Sequence, residues 1–159
     1  TEDEENALGL QYVELQSLLE ESSFVLLCVP LTCDTAHLID ASALQRMRAG
    51  SFLINVCRGS VVDEDAVCRA LASGHLAGYA SDVFEFEDWV REDRPSVISA
   101  SLLRQTDSTF FTPHLGSAVD AVRREIALEA ALNVLQAFRG VKPGGAINHV
   151  VPWARVFGS

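Results

Sequence analysis

With 159 residues, 48% of them apolar and 21% charged, the chain has the composition of a globular domain and enough length to bury one core. Its formal charge of −10, with only 12 Lys and Arg, argues against a nucleic-acid partner, and no apolar stretch reaches the roughly 20 residues that would span a bilayer. The four cysteines, Cys28, Cys33, Cys57 and Cys68, form no C-x-x-C pair and lie in or beside apolar runs, so reduced thiols in a cytoplasmic protein are expected rather than disulfides or a metal site. No signal peptide is visible, and a start at Thr1 without Met leaves room for a lost beginning.

The acidic run Glu2 to Glu5 reads as a solvated loop, and Val13, Leu15, Leu18 and Leu19 follow with helical spacing. Phe24 to Val29 is a strand-like run closed by Pro30, which cannot continue a central ladder. Asp40 is an N-cap for a short helix over Ala43, Leu44 and Met47, with Gly50 beyond its end. Phe52 to Val56 is the next strand. Asp63, Glu64 and Asp65 then place negative charge at a helix start, Ala66, Val67, Ala70 and Leu71 give that helix an apolar face, and Gly74 stops it.

Ala77 to Ser81 and Thr109 to Phe111 are the remaining strands. Strand starts spaced by about 25 to 32 residues match βαβ units, so the expected fold is α/β: a parallel, doubly wound, Rossmann-like sheet, incomplete, with a long C-terminal helix. Between Asp82 and Asp107 no clear helix emerges, and Phe84, Phe86 and Trp89 favour an ordered lid or cleft wall. Ser117 is read as the cap of the helix Ala118 to Arg139, whose apolar residues on two sides (Val119, Val122, Ile126 and Ala130; Leu128, Leu132 and Leu135) predict burial between domains or subunits. Gly140, Pro143, Gly144 and Gly145 make a flexible exit, and Ala146 to Val151 returns to apolar residues.

In open α/β sheets ligands bind beyond the carboxyl ends of the strands, and three residues with useful chemistry follow three different strands. Arg58, in a turn with Gly59 that would admit a ligand closely, is suited to grip an anion; a surface Arg answering Asp63 and Glu64 is the bland alternative. His114, held in Thr112-Pro113-His114-Leu115-Gly116, could exchange a proton through one ring nitrogen while Glu87 hydrogen-bonds the other. His37, His75 and His149 lack such company. The chain contains no G-x-G-x-x-G, so either it binds no dinucleotide or the part that holds the pyrophosphate precedes Thr1.

Three segments together carry a resemblance: Asn55 to Glu64, Asp82 to Glu87, and Thr112 to Gly116. In order and spacing they are similar to the signatures of the D-isomer-specific 2-hydroxyacid dehydrogenase family. Cys57 before Arg58, the segment Glu87-Asp88-Trp89 with Asp93-Arg94-Pro95, and His114 to Val119 are most similar to its phosphite (phosphonate) dehydrogenase branch; most hydroxyacid members carry Pro where Asp88 stands.

The resemblance implies Arg58, Glu87 and His114 as the catalytic set, with Arg58 on the substrate anion and Glu87 orienting the acid-base His114. It also implies NAD, with NADP left open, held by Cys28, Val29, Pro30, Val56, Cys57 and Asp82. The implied activity is NAD-dependent oxidation of phosphite by hydride transfer. The alternatives are D-2-hydroxyacid oxidoreduction and a non-enzymatic, NAD-sensing, corepressor-like binding protein.

Residues 1–139 are expected to form a partial NAD-binding domain without its first strands and glycine-rich turn, and 140–159 a tail returning toward a substrate domain. A substrate-binding lysine is expected upstream as well. The partners implied are a small anion, phosphite or a 2-hydroxy acid, and a second copy in a homodimer of the full-length protein. The isolated chain is expected to be weakly active or inactive.

Overall fold

The structure, a computed structural model, describes residues 5, 7–144 and 146; Glu2 to Glu4, His149 and most of the apolar stretch Ala146 to Val151 lie outside the described residues. The chain divides into two compact units, Thr1–His114 and Leu115–Ser159.

In the first unit four strands, β1 (Phe24–Leu27), β2 (Ser51–Asn55), β3 (Leu76–Ser81) and β4 (Thr109–Phe111), form a fully parallel sheet in the order β1-β2-β3-β4. Helices α1 (Leu15–Glu21), α2 (Ala41–Arg46), α3 (Glu64–Ala72) and α4 (Ala100–Leu103) accompany it. This is the Rossmann-like arrangement that the βαβ spacing predicts. The period-2 alternation of the strands sorts their side chains. Val25, Leu27, Leu53 and Tyr79 turn to one face and join Leu19, Leu44, Val67, Leu71 and Leu102 of the helices in a single core. Phe24, Leu26, Phe52 and Phe110 turn to the other face and are exposed. There Gly78 has no side chain to lift the Phe52 ring, which stacks on Phe24 with centroids 5.0 Å apart.

Helix starts follow their sequence signals. Asp40 caps α2 by accepting from the Ala43 amide at 2.8 Å, and Asp63 caps α3 by accepting from Ala66 at 2.9 Å. Strand β1 stops at Leu27, two residues before the expected end, because its partner β2 ends at Asn55 and offers no further ladder. The segment between Asp82 and Asp107 is ordered, as its aromatics suggest, by a 3-10 turn at Glu85–Glu87 and by α4, whose Leu102 is fully buried.

The second unit holds α5 (Asp120–Phe138), about 28 Å long at 1.5 Å per residue. It begins two residues later than expected. Val119 is its N-cap and makes no side-chain cap bond; Ser117, read as the cap, instead accepts from Arg123 Nε through its carbonyl. No residue of α5 is buried, and Val122, Ile126, Leu128, Leu132 and Leu135 are exposed. No helix among the described residues is long and apolar enough to cross a membrane.

Candidate active site

Register determines what meets at the carboxyl edge of the sheet. Leu27, Asn55, Ser81 and Phe111 form one row across the four strands, so the residues that follow them, Cys28, Val56, Asp82 and Thr112, emerge side by side.

Asn55 shapes the first turn beyond this row. Its buried side chain accepts from the Cys57 amide at 3.1 Å and donates to the Arg58 carbonyl at 2.9 Å, so two residues beyond β2, Cys57 and Arg58, are pinned to one amide group. The Cys57 thiol also points to Asn55 Oδ1 at 3.1 Å. Arg58 itself is exposed, with Nη1 donating to the Cys57 carbonyl at 2.6 Å. The next residue departs from expectation. Gly59 admits protein rather than a ligand, since a β-carbon there would overlap the Phe84 and Glu85 backbone. The Ser60 amide then donates to the buried Asp88 carboxylate at 2.6 Å.

The imidazole and its carboxylate arrive from two further strand ends. The His114 amide donates to the Asp82 carbonyl at 2.9 Å, and the residue takes a φ of 53°, a left-handed conformation that costs a non-glycine residue energy and survives only where neighbours impose it. Nearby, Thr112 donates its hydroxyl to the Asp82 carboxylate. Glu87 Oε2 lies 2.6 Å from His114 Nδ1, while Glu87 Oε1 accepts from the Phe84 amide at 3.0 Å, so the 3-10 turn holds one oxygen and offers the other. A carboxylate on Nδ1 keeps a proton there and leaves Nε2 free for chemistry.

Arg58, Glu87 and His114 line one cleft of about 330 Å³, whose rim includes Trp89; the Arg94 guanidinium sits 4.3 Å above the Trp89 ring. A second, larger cleft of about 970 Å³ gathers Cys28, Val29, Pro30, Val56 and Cys57, and Arg58 lines both. The structure thus brings together five of the six residues expected around a dinucleotide; Asp82 is placed by Thr112 and His114 instead. Val29, Pro30 and Val56 offer apolar contact suited to the flat rings of NAD. No glycine-rich strand-turn-helix accompanies them to hold its pyrophosphate.

Sequence reasoning missed four residues that hold this edge. Asn55 carried a usable signal, because an amide at the end of a strand is unusual and asks for a turn to satisfy. Asp88 stood out only as an absent proline. Glu64 reads only as charge at a helix start and Glu85 is not singled out, yet both are buried against each other.

Comparison with known proteins places this geometry. The family model for the NAD-binding domain of D-isomer specific 2-hydroxyacid dehydrogenases matches residues 1–116. A glyoxylate reductase of Pyrococcus horikoshii is 39% identical over 150 residues, covering 94% of this chain and 42% of that protein. One of Korarchaeum cryptofilum is 40% identical, covering 94% and 43%. Among solved structures, D-lactate dehydrogenase from Aquifex aeolicus complexed with NAD and lactic acid aligns with a TM-score of 0.74 at 33% identity, covering 86% of this chain and 43% of that one. The holo form of Rhodotorula graminis D-mandelate dehydrogenase aligns with a TM-score of 0.79 at 29% identity, covering 93% and 42%. The chain therefore spans about two-fifths of the length of the curated relatives it matches.

Proposed function

The chain belongs to the D-isomer specific 2-hydroxyacid dehydrogenase family, and we propose that, within a longer protein, it carries the hydride-transfer site of an NAD-dependent oxidoreductase acting on a small 2-hydroxy or 2-oxo acid of the glyoxylate class. One observation carries the reading: the 2.6 Å contact between Glu87 and His114 in the cleft that Arg58 also lines. Arg58 binds the substrate carboxylate, the planar match that a guanidinium makes best. NAD, when bound, accepts or supplies the hydride at its nicotinamide ring. In reduction, His114 gives its Nε2 proton to the carbonyl oxygen while hydride adds to the carbon, and Glu87 holds the ring in place through Nδ1; in oxidation each transfer reverses.

Residues 1–139 are proposed as the later part of the NAD-binding domain and 140–159 as the path toward a substrate domain supplied by the rest of the protein. A homodimer is proposed from the exposed apolar sides of α5, to be checked by light scattering on the longer protein.

Phosphite oxidation, expected from the Glu87-Asp88-Trp89 segment, becomes the second reading, because the two curated relatives named above are glyoxylate reductases and the two solved structures are D-lactate and D-mandelate dehydrogenases. What favours it is Asp88 in the place where most hydroxyacid enzymes carry Pro. The structure gives that carboxylate a bracing task, accepting from the Ser60 amide, which either substrate would tolerate.

NADH absorbance followed with the longer protein separates these readings. Consumption of NADH with glyoxylate supports the first, and NAD reduction by phosphite alone supports the second. Tight NADH binding with turnover of neither would favour the corepressor-like alternative and reject both.

A further inference from the structure

We propose that Glu64 is a positioning residue: through a reciprocal clamp with Glu85 it fixes the turn that carries Glu87 and so sets the Glu87–His114 pair. Glu64 opens α3 and Glu85 opens the 3-10 turn, 21 positions away, and each side chain accepts from the other's backbone amide. The Glu64 amide donates to Glu85 Oε1 at 3.0 Å, and the Glu85 amide donates to Glu64 Oε1 at 2.8 Å. The first bond supplies an acceptor to one of the otherwise unpaired amides of a helix start; the second ties down the amide two residues before Glu87.

The clamp is buried, Glu64 being 4% exposed and Glu85 8%. Two acids in such a place are tolerated only if one is neutral or countered by charge. The second oxygen of Glu85 meets His37 Nε2 at 2.9 Å, so Glu85 has a hydrogen-bond partner outside the pair. Glu64 is left to hold a proton. Burial first, and then the charges of Glu85, Asp65 and Glu87, push it up to about 7, against the opposing pull of the Glu85 amide. The groups facing it are therefore Asp65 on its own helix, Glu85 and Glu87 from the turn, the Tyr79 phenol from β3, and His37 across Glu85. With Glu64 protonated the clamp carries one charge. Once Glu64 ionises, two carboxylates confront each other and the turn loosens, and with it the Oε2 that Glu87 presents to His114.

Hydrogen exchange at the Glu85 and Glu87 amides, corrected for intrinsic rates, tests the clamp in the longer protein. In the native sequence protection is expected to fall by about tenfold between about pH 6 and about pH 8.5. Glu64→Gln, which keeps an acceptor oxygen and cannot ionise, is expected to hold protection level across that range. Glu64→Leu is expected to lose it at every pH and to lower kcat for glyoxylate by about tenfold or more, with KM for NADH unchanged within about twofold.

A pH-independent native turn, or a Gln variant that follows the native curve, overturns the proposal, and these two results stand even if the Leu variant fails to fold. Only the kcat arm rests on the function proposed above. A protein that reduces no 2-oxo acid yet shows the exchange pattern refutes that function and supports the clamp.

Discussion

Gly59 and Phe84 lie so close that a β-carbon on Gly59 would overlap the Phe84 carbonyl group and the Glu85 amide nitrogen. The contact joins the turn after β2, which carries Arg58, to the turn after β3, which carries Glu87. Neither backbone can yield without moving a residue of the cleft. Gly59→Ala is therefore expected to destabilise the longer protein by about 3 kcal/mol, seen as a lower urea midpoint with unchanged slope. It should also lower kcat, because whatever fraction folds must separate Arg58 from Glu87. A variant with native midpoint and native kcat would show that the two turns are not coupled.

Arg58 is the cation that the cleft holds next to the Glu87–His114 pair. Its guanidinium is exposed and makes one bond to its neighbour's carbonyl, which leaves its remaining donors to a ligand. Arg58→Ala is expected to reduce kcat/KM for glyoxylate by about a hundredfold or more, and Arg58→Lys to recover only part of it, since an ammonium lacks the two-pronged geometry. Steady-state kinetics on the two variants checks this. An Ala variant within about tenfold of native, or 1.4 kcal/mol, would remove Arg58 from substrate binding.

Much of this arrangement was legible in the chain. Four apolar runs, two Asp caps and the spacing of the strand starts are local signals that tertiary contacts reinforce, and they led to the parallel sheet and to one edge bearing Arg58, Glu87 and His114. What escaped were the long-range partners. Nothing in the local sequence distinguishes Glu64, an acid in a helix's first turn, from a solvated one; its burial depends on Glu85, which folds onto it from another loop. Gly59 was legible as a close approach and misassigned to a ligand, because what approaches is backbone that arrives 25 positions later. The two-sided apolar surface of α5 was legible too, and its residues are exposed.

Glu87 presents one oxygen to His114 and keeps the other on the Phe84 amide, so its replacement by Gln preserves shape and removes charge. Glu87→Gln is expected to lower kcat by about a hundredfold to ten-thousandfold with little change in KM, the loss typical when an acid-base group is no longer held in its productive form. Single-turnover measurements with NADH would place the loss in hydride transfer. If the burst stayed as fast as native, the carboxylate would have no part in the chemistry.

The buried acid pair also makes stability depend on pH in a direction opposite to that of a salt-bridged carboxylate. Burial raises Glu64 from the ordinary 4.5 to about 7, so between those values the folded chain holds a proton that the unfolded chain has released. The contribution of this group is complete below about pH 4.5, falls as pH rises toward about 7, and is constant beyond, for a loss on the order of 3 kcal/mol. Other titrating groups contribute to the same interval, so the quantity to measure is a difference of differences. Urea unfolding of the native protein and of Glu64→Gln at about pH 5 and about pH 8 gives it. The Gln variant is expected to lose less stability over that interval than the native protein, and to be the more stable of the two at the higher pH. Parallel curves would mean that Glu64 is ionised throughout, which would require a cation beside it that the folded structure does not place among the described residues acting on it.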